Sequence, residues 1–206
     1  MRIAIIGSGN VGGALARGWA KVDHDIILGV RNANSEKIKS LTEFSKKISV
    51  VSISEAIESA KIVVFSTPPD VAISIAEANP ALLGKIVIDA TNSVFKKPLP
   101  YTTAFEGIKD KSGCKSIVKC FNSTGYENIN NPVYGQVGID MFVAGDDSMA
   151  KSVAMQLAKE LGFAECYDFG GDDKIELLEQ FAFVWINMGI LQKHGRDMAF
   201  KVLKRH

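Results

Sequence analysis

Three glycines, Gly7, Gly9 and Gly12, stand in the run IAIIGSGNVGG, directly behind a short apolar stretch. At this spacing, between a strand and a helix, they suit the grip on a pyrophosphate. Gly7 permits the tight turn, Gly9 lets the backbone approach the phosphates, and Gly12 lets helix and strand pack closely. The helix start then offers unpaired N–H groups and the positive end of its dipole to the anion. Ser8, Asn10 and Val11 belong to the same loop. The second feature is Arg31, in LGVRN. In the NAD form of such a unit, an acid at the end of the second strand hydrogen-bonds the adenosine ribose. Here no acid follows until Glu36. A carboxylate would repel a 2′-phosphate, whereas a guanidinium pairs with it through two charge-assisted bonds. Lys37 is near enough in sequence to add a second charge, and Ser8 or Asn32 could donate hydrogen bonds. These residues point to NADP(H) rather than NAD. The plainer alternative is a solvated arginine, stacked on adenine at most.

Ligands of open α/β sheets lie beyond the carboxyl ends of the strands. Those ends read STPPD (66–70), DATNSVF (89–95) and FNSTGYEN (121–128). They supply hydroxyls, amides and a ring: Ser66, Thr67, Pro68, Thr91, Asn92, Asn122, Ser123, Thr124 and Tyr126. A conventional acid–base set is missing from this group. His24 precedes the second strand, at the wrong end of the sheet; His194 lies in the tail and His206 is the terminus. Asp89 reads as a strand-end carboxylate that hydrogen-bonds backbone. No metal cluster and no Ser-His-Asp or Cys-His set can be placed, so no catalytic residue is assigned. Reducing a carbonyl needs a proton donor. Hydride transfer between nicotinamide and a flavin-like ring does not, because the cofactors carry that chemistry. The protein must then stack two rings at the right distance and exclude water; Phe95, Phe121, Tyr126 and the tail would form the walls. An acid among Tyr126, Lys96, Lys97 or Lys119 would defeat this reading.

The elements that must hold these residues are legible as short Ile- and Val-rich runs: 2–6, 25–30, 48–53, 61–66, 85–90, 115–121, 139–144 and 163–169. Most do not alternate with polar residues, as expected of strands buried on both faces. Helical patterns lie between many of them: Val11, Ala14, Leu15, Gly18, Trp19 and Val22 share one face of the first, and 35–46, 54–60, 70–79 and 147–161 follow, with Asp70 and Asp147 suited to N-caps. Strand alternating with helix implies right-handed βαβ units and a doubly wound parallel sheet, a Rossmann fold. The stretches 91–114 and 122–138 read as irregular. Residues 173–204 read as one long tail helix or two, which Gly189 and Gly195 would bend. Ile175, Leu178, Ala182, Trp185, Ile186 and Gly189 form one apolar stripe; Leu177, Phe181, Val184, Met188 and Leu191 form another. The expected division is a dinucleotide-binding domain over 1–121 and a small C-terminal part over 122–206 packed on it.

Composition narrows the class further. The chain has 206 residues, 47% of them hydrophobic, so it can bury a sizeable core. Lys and Arg number 24 against 23 acids, a net of +1 that asks for neither nucleic acid nor an anionic membrane. The three cysteines, Cys114, Cys120 and Cys166, match no zinc spacing and suit a reduced, cytoplasmic protein. No signal peptide is evident. The longest late apolar run, FAFVWINMGIL, is well short of the roughly 20 residues of a membrane span.

The residues also carry a family resemblance. MRIAIIGSGNVGGALA, GVRN, the STPP loop, VIDATN, KCFNSTG, FVAGDD and LLEQFAFVWINM occur in an order that resembles the NADPH-dependent coenzyme F420 reductases (F420H2:NADP oxidoreductases). The chain is also similar to the cytosolic NADPH domain of six-transmembrane metalloreductases. The resemblance implies that Ser8, Gly9, Asn10 and Val11 hold the pyrophosphate and that Arg31 holds the 2′-phosphate. It places Thr67, Asn92 and the 122–126 segment on the nicotinamide side. Val30 stands where the F420 enzymes have a serine, and Asn122 where they have a histidine. The expectation is an NADP(H)-dependent oxidoreductase passing hydride to a small acceptor such as F420, FMN or FAD, and a homodimer joined through the tail helix. Two alternatives stay open: a pyrroline-5-carboxylate-reductase-like imine or carbonyl reductase, and a non-catalytic NADP-sensing module.

Overall fold

The computed structural model describes residues 1–205; His206 lies outside the described residues. The chain opens with β1 (Arg2–Ile6), α1 (Asn10–Lys21), β2 (Asp25–Gly29), α2 (Glu36–Phe44) and β3 (Ile48–Val51). It continues through α3 (Ile53–Ser59), β4 (Ile62–Phe65), α4 (Pro69–Ala78), β5 (Ile86–Asp89), α5 (Ala104–Ser112) and β6 (Ile117–Cys120). Then come α6 (Tyr126–Asn130), a small hairpin of β7 (Val133–Tyr134) and β8 (Val137–Gly138), β9 (Asp140–Ala144), α7 (Ser148–Glu160), β10 (Glu165–Gly170) and α8 (Ile175–Ile186). Eight strands form one sheet in the order β10-β9-β6-β5-β4-β1-β2-β3. The first six strands are parallel and doubly wound, as the βαβ pattern requires.

The sheet departs from the expected parallel arrangement at β9, which runs antiparallel to β6. The connection between them carries α6 and the hairpin instead of a crossover helix, so the 121–139 segment stays near the carboxyl ends of the parallel strands. Helix α7 then makes an ordinary crossover to β10, parallel to β9. The sheet therefore runs unbroken across the boundary expected at 121/122. The stretch 91–114 also holds more order than expected: α5 forms behind Thr103, whose hydroxyl accepts from Glu106 N.

Strands β4, β6 and β9 are buried throughout, which explains their largely apolar sequences; their two charged residues, Lys119 and Asp140, are both ion-paired. One core layer packs α1, α2 and α7 on the sheet around Leu15, Trp19 and Leu157. Trp19 meets Phe121 edge-on at 5.4 Å and donates to Leu157 O at 3.1 Å. The other layer packs α3, α4, α5 and α8 around Phe65, Phe105 and Leu178.

Two expected details are corrected by the structure. Asp70 sits in the first turn of α4, not at its cap; Pro68 occupies that place and Pro69 opens the helix. Asp147 does cap α7, accepting from Ala150 N at 2.6 Å. The tail helix expected over 173–204 is shorter. It spans α8 and a π-turn, Asn187–Leu191, and then the chain reverses. Gly195 adopts φ +97° and donates to Gly189 O at 3.1 Å. A side chain on Gly189 would lie 2.9 Å from Gly195 O, so the reversal needs a glycine there. The carbonyls of the returning segment find new partners: Met198 O accepts from Trp185 Nε1 and Asn128 Nδ2, and Phe200 O accepts from Asp140 N. Those bonds replace the helical ones that the apolar periodicity implied.

Candidate functional site

The strand order reverses between β1 and β4, whose carboxyl ends therefore border a crevice. Ser66 closes its floor. Its N–H donates to Ile6 O at 2.9 Å and its hydroxyl to Gly7 O at 2.9 Å. Gly7 takes φ +110°, and a Cβ there would meet Ser66 O at 2.8 Å. A Cβ on Gly12 would lie 2.0 Å from Gly7 O, so only glycine lets α1 start this close to the turn. Nothing lies within 4 Å of the Cβ direction of Gly9. Gly9 caps α1 without a side-chain bond, leaving the first-turn N–H groups unpaired toward that open space.

A cleft of about 350 Å³ gathers Gly7, Ser8, Gly9, Arg31, Asn32, Ser66, Thr67 and Pro68 around this loop. Arg31 is exposed and pairs with no carboxylate among the described residues. Asn32 turns its Oδ1 to Asn34 N at 2.9 Å, which shapes the turn behind Arg31. Ile53, Val71 and Ile75 line the apolar flank, the slot an adenine would fill. The sequence reading missed these three because nothing in their own neighbourhood marks them; only the meeting of α3 and α4 does.

An adjoining cleft is lined by Ser8, Gly9, Asn10, Gly13, Arg17, Lys37 and Tyr126. Lys37 donates to Asn10 Oδ1 at 3.2 Å, so this cation does reach the phosphate loop. Arg17 was not anticipated, although helical spacing from Gly13 puts it on the same face. Val11 is half-buried against the core, so it offers the site its backbone only. The residues present fit a dinucleotide with an extra phosphate: an uncapped helix start, an open approach at Gly9, and unpaired Arg31 across the crevice.

Asn92 and Asn122 line neither of these clefts. They are paired at the ends of β5 and β6. Asn92 Nδ2 donates to Asn122 O at 2.9 Å and Asn122 Nδ2 to Asn92 Oδ1 at 3.0 Å. Asn122 Oδ1, Thr91 Oγ1 and Thr67 Oγ1 are buried without a partner. Buried polar groups are rarely left unpaired, and a ligand amide beside these loops would satisfy them.

The titratable groups of this half are largely committed elsewhere. Lys119 is fully buried, 2.6 Å from Asp89 Oδ2 and 2.8 Å from Glu179 Oε1. The second contact lies within ion-pair distance but lacks hydrogen-bond geometry. Burial alone would lower the pKa of Lys119, but the two carboxylates outweigh it and hold the pKa above the ordinary value. Burial, aided by Asp89, pushes Glu179 up against the opposing pull of Lys119. Lys96 pairs with Asp70 and Lys97 with Glu176. His24 lies at the other end of the sheet, between the N-terminal amine and Glu160. Glu179 was not foreseen: the apolar helix pattern holds two acids, Glu176 and Glu179, and nothing in the sequence marks which is turned inward.

Comparison with known proteins agrees with this geometry. The family described as NADP oxidoreductase, coenzyme F420-dependent, matches residues 2–93. An F420-dependent NADP reductase of Methanocaldococcus jannaschii is 26% identical over 215 residues, covering 94% of each chain. The solved structure of an Arthrobacter sp. fb24 protein, whose assignment as an F420-dependent NADP-reductase is itself provisional, covers 98% of this chain and 99% of its own. Its TM-score is 0.84 at 24% identity. A reductive aminase of Aspergillus terreus, solved with NADPH, shares the fold at a TM-score of 0.69 and 18% identity. This chain spans 63% of its length. No helix among the described residues is long and apolar enough to cross a membrane. The chain is accordingly an NADP-dependent oxidoreductase, similar over residues 2–93 to the coenzyme F420-dependent family and over nearly its whole length to an archaeal F420-dependent NADP reductase.

Proposed function

We propose that the protein passes hydride between NADP(H) and a flavin or deazaflavin ring, with F420, FMN and FAD as the acceptors to test. NADPH, when bound, supplies the hydride. The Gly7–Gly12 loop and the start of α1 hold the pyrophosphate, and Arg31 pairs with the 2′-phosphate. Thr67, Thr91 and the Asn92–Asn122 pair border the nicotinamide half. The observation that carries the reading is the state of three of the four candidate acids, all but Tyr126. Lys119, Lys96 and Lys97 are all engaged with carboxylates. This suits a reaction in which the protein need only align two rings.

The fold shared with a reductive aminase supports a second reading, reduction of an imine or carbonyl, with Tyr126 as proton donor. This chain spans 63% of that enzyme's length, and after α8 it folds back on itself within the described residues. We further propose that two copies associate through the exposed stripe of α8.

Calorimetric titration with NADPH and NADH tests the donor. NADPH should be favoured by about 1.5–3 kcal/mol, the range for hydrogen bonds to charged groups, and Arg31→Ala should abolish the preference. Oxidation of NADPH by F420, FMN or FAD, undiminished in Tyr126→Phe, would support the flavin reading. Turnover with cyclic imines alone, lost in Tyr126→Phe, would replace it. Binding without turnover on any acceptor would favour the NADP-sensing module.

A further inference from the structure

The loop after β5 is held from beneath by charges that the proposed reaction does not use. Asp89 Oδ1 accepts from Thr91 N at 2.9 Å, and its Oδ2 accepts from Lys119 Nζ at 2.6 Å. Lys119 Nζ lies 2.8 Å from Glu179 Oε1, and Glu179 Oε2 accepts from Ser93 N at 2.9 Å. Between these anchors Asn92 pairs with Asn122 across the strand ends. Three successive loop residues, Thr91, Asn92 and Ser93, are thus each fixed, two of them by buried carboxylates.

The cluster unites three distant segments: β5, β6 and α8. Asp89, Lys119 and Glu179 are all buried. An ionic cluster in such a place is a weak source of stability, because desolvating the charges offsets most of their attraction. What it supplies is geometry. A helix that only covered the sheet would need an apolar residue at 179.

We propose that Glu179 is a positioning residue for the nicotinamide half of the cofactor site, through which α8 fixes the 91–93 loop and the Asn92–Asn122 pair. This rests on the NADP reading above. It assigns the tail helix a part in the site although none of its residues lines the clefts at the phosphate loop. Glutamine at 179 keeps one acceptor oxygen, so it can serve Lys119 or Ser93 but not both. Aspartate keeps the charge and loses a methylene of reach.

The test splits the cofactor in two. Wild type, Glu179→Gln and Glu179→Asp are titrated with NADPH and with adenosine 2′,5′-bisphosphate, which carries the adenosine half alone. The anisotropy of bound NADPH fluorescence reports how firmly the dihydronicotinamide ring is held. Both variants should bind the bisphosphate within about twofold of wild type. Both should bind NADPH about tenfold more weakly, the worth of one hydrogen bond to a charged group, and with lower anisotropy. A merely structural role would weaken both ligands together. Parallel losses, or full NADPH affinity and anisotropy in either folded variant, would overturn the inference. If glutamine prevents folding, the aspartate variant decides alone; collapse of both would show a role in folding and equally overturn it. A wild type that binds neither ligand would instead bring down the NADP reading, and this inference with it.

Discussion

At the scale of single residues, Lys119 and Glu179 carry opposite risks. With all three groups ionised, the cluster holds one positive and two negative charges out of water. Replacing Lys119 by methionine keeps the bulk and leaves two buried carboxylates without their counter-charge. Breaking a buried pair in this way costs about 3–5 kcal/mol, so Lys119→Met should lose that much in urea unfolding at pH 7.5. Glu179→Gln removes the surplus negative charge. Burial first, and Asp89 second, raise the pKa of Glu179 above the ordinary range despite Lys119. An acid with a raised folded pKa contributes stability below its unfolded value, about 4.3, and loses it as pH rises through the folded one. Glu179→Gln should therefore match wild type near pH 5 and equal or exceed it at pH 8. A large loss at pH 8 would show that the pair stabilises the fold rather than shaping the loop. Arg31 was readable because a missing acid after a strand is a local signal. The inward turn of Glu179 was not, because burial is decided by partners 60 and more residues away.

Elements were legible where one period ruled a whole segment. The short strands and α1, α2, α3, α4 and α7 follow from their patterns and caps. Beyond Leu191 the sequence turns polar through Asp197 and the helix ends, and partners in α6 and β9 satisfy the strap's backbone instead. Arg196 fastens that strap. It pairs with both oxygens of Glu127, at 2.5 and 3.1 Å, and stacks 5.4 Å from the rings of Tyr126 and Trp185. Burial would raise the pKa of Glu127, but the hydrogen bonds and charge of Arg196 outweigh it and hold the carboxyl below the usual range. A depressed acid contributes stability above its unfolded pKa, and that contribution fades as pH falls through the folded one. Below about pH 4.3 the strap should loosen, read as a change in Trp185 fluorescence ahead of global unfolding. Arg196→Ala should remove that early acid step and make the tail sensitive to trypsin at neutral pH. Unchanged protection of the tail in Arg196→Ala would show that Asp140, which binds Lys201 Nζ and Val202 N, holds the strap without it.

At the scale of the whole molecule, α8 presents an apolar surface that nothing among the described residues covers. Helix α8 buries Ile175, Leu178, Ala182 and Trp185, the first of the two stripes in its sequence. Of the second stripe, Phe181 turns inward against Phe142 and Phe200, while Leu177, Val184, Met188 and Leu191, with Ile190 beside them, face out, between 38% and 55% exposed. Exposed Phe95, stacked edge-on against Phe183 at 5.8 Å, extends the same surface. Both stripes were visible in the sequence, since helical periodicity shows how many sides of a helix are apolar. Which side meets the sheet and which meets a partner depends on the fold around it. Single exposed apolar residues need no explanation, but a contiguous row marks an interaction surface. A twofold contact suits it, because one helix face can serve as its own complement. Sedimentation at micromolar concentration should give a dimer for wild type. Val184→Glu and Leu191→Glu should give monomers of unchanged circular dichroism, since both side chains are exposed and neither supports the core. A wild-type monomer, or dimers that survive both charges, would leave the stripe unexplained by self-association. The same monomers bear on the site, because Glu179 lies on this helix. If the subunit contact steadies α8, monomeric variants should show part of the NADPH loss proposed for Glu179→Gln while keeping the affinity for adenosine 2′,5′-bisphosphate. Full NADPH affinity in the monomers would mean that the buried charge cluster fixes the loop without help from a second copy.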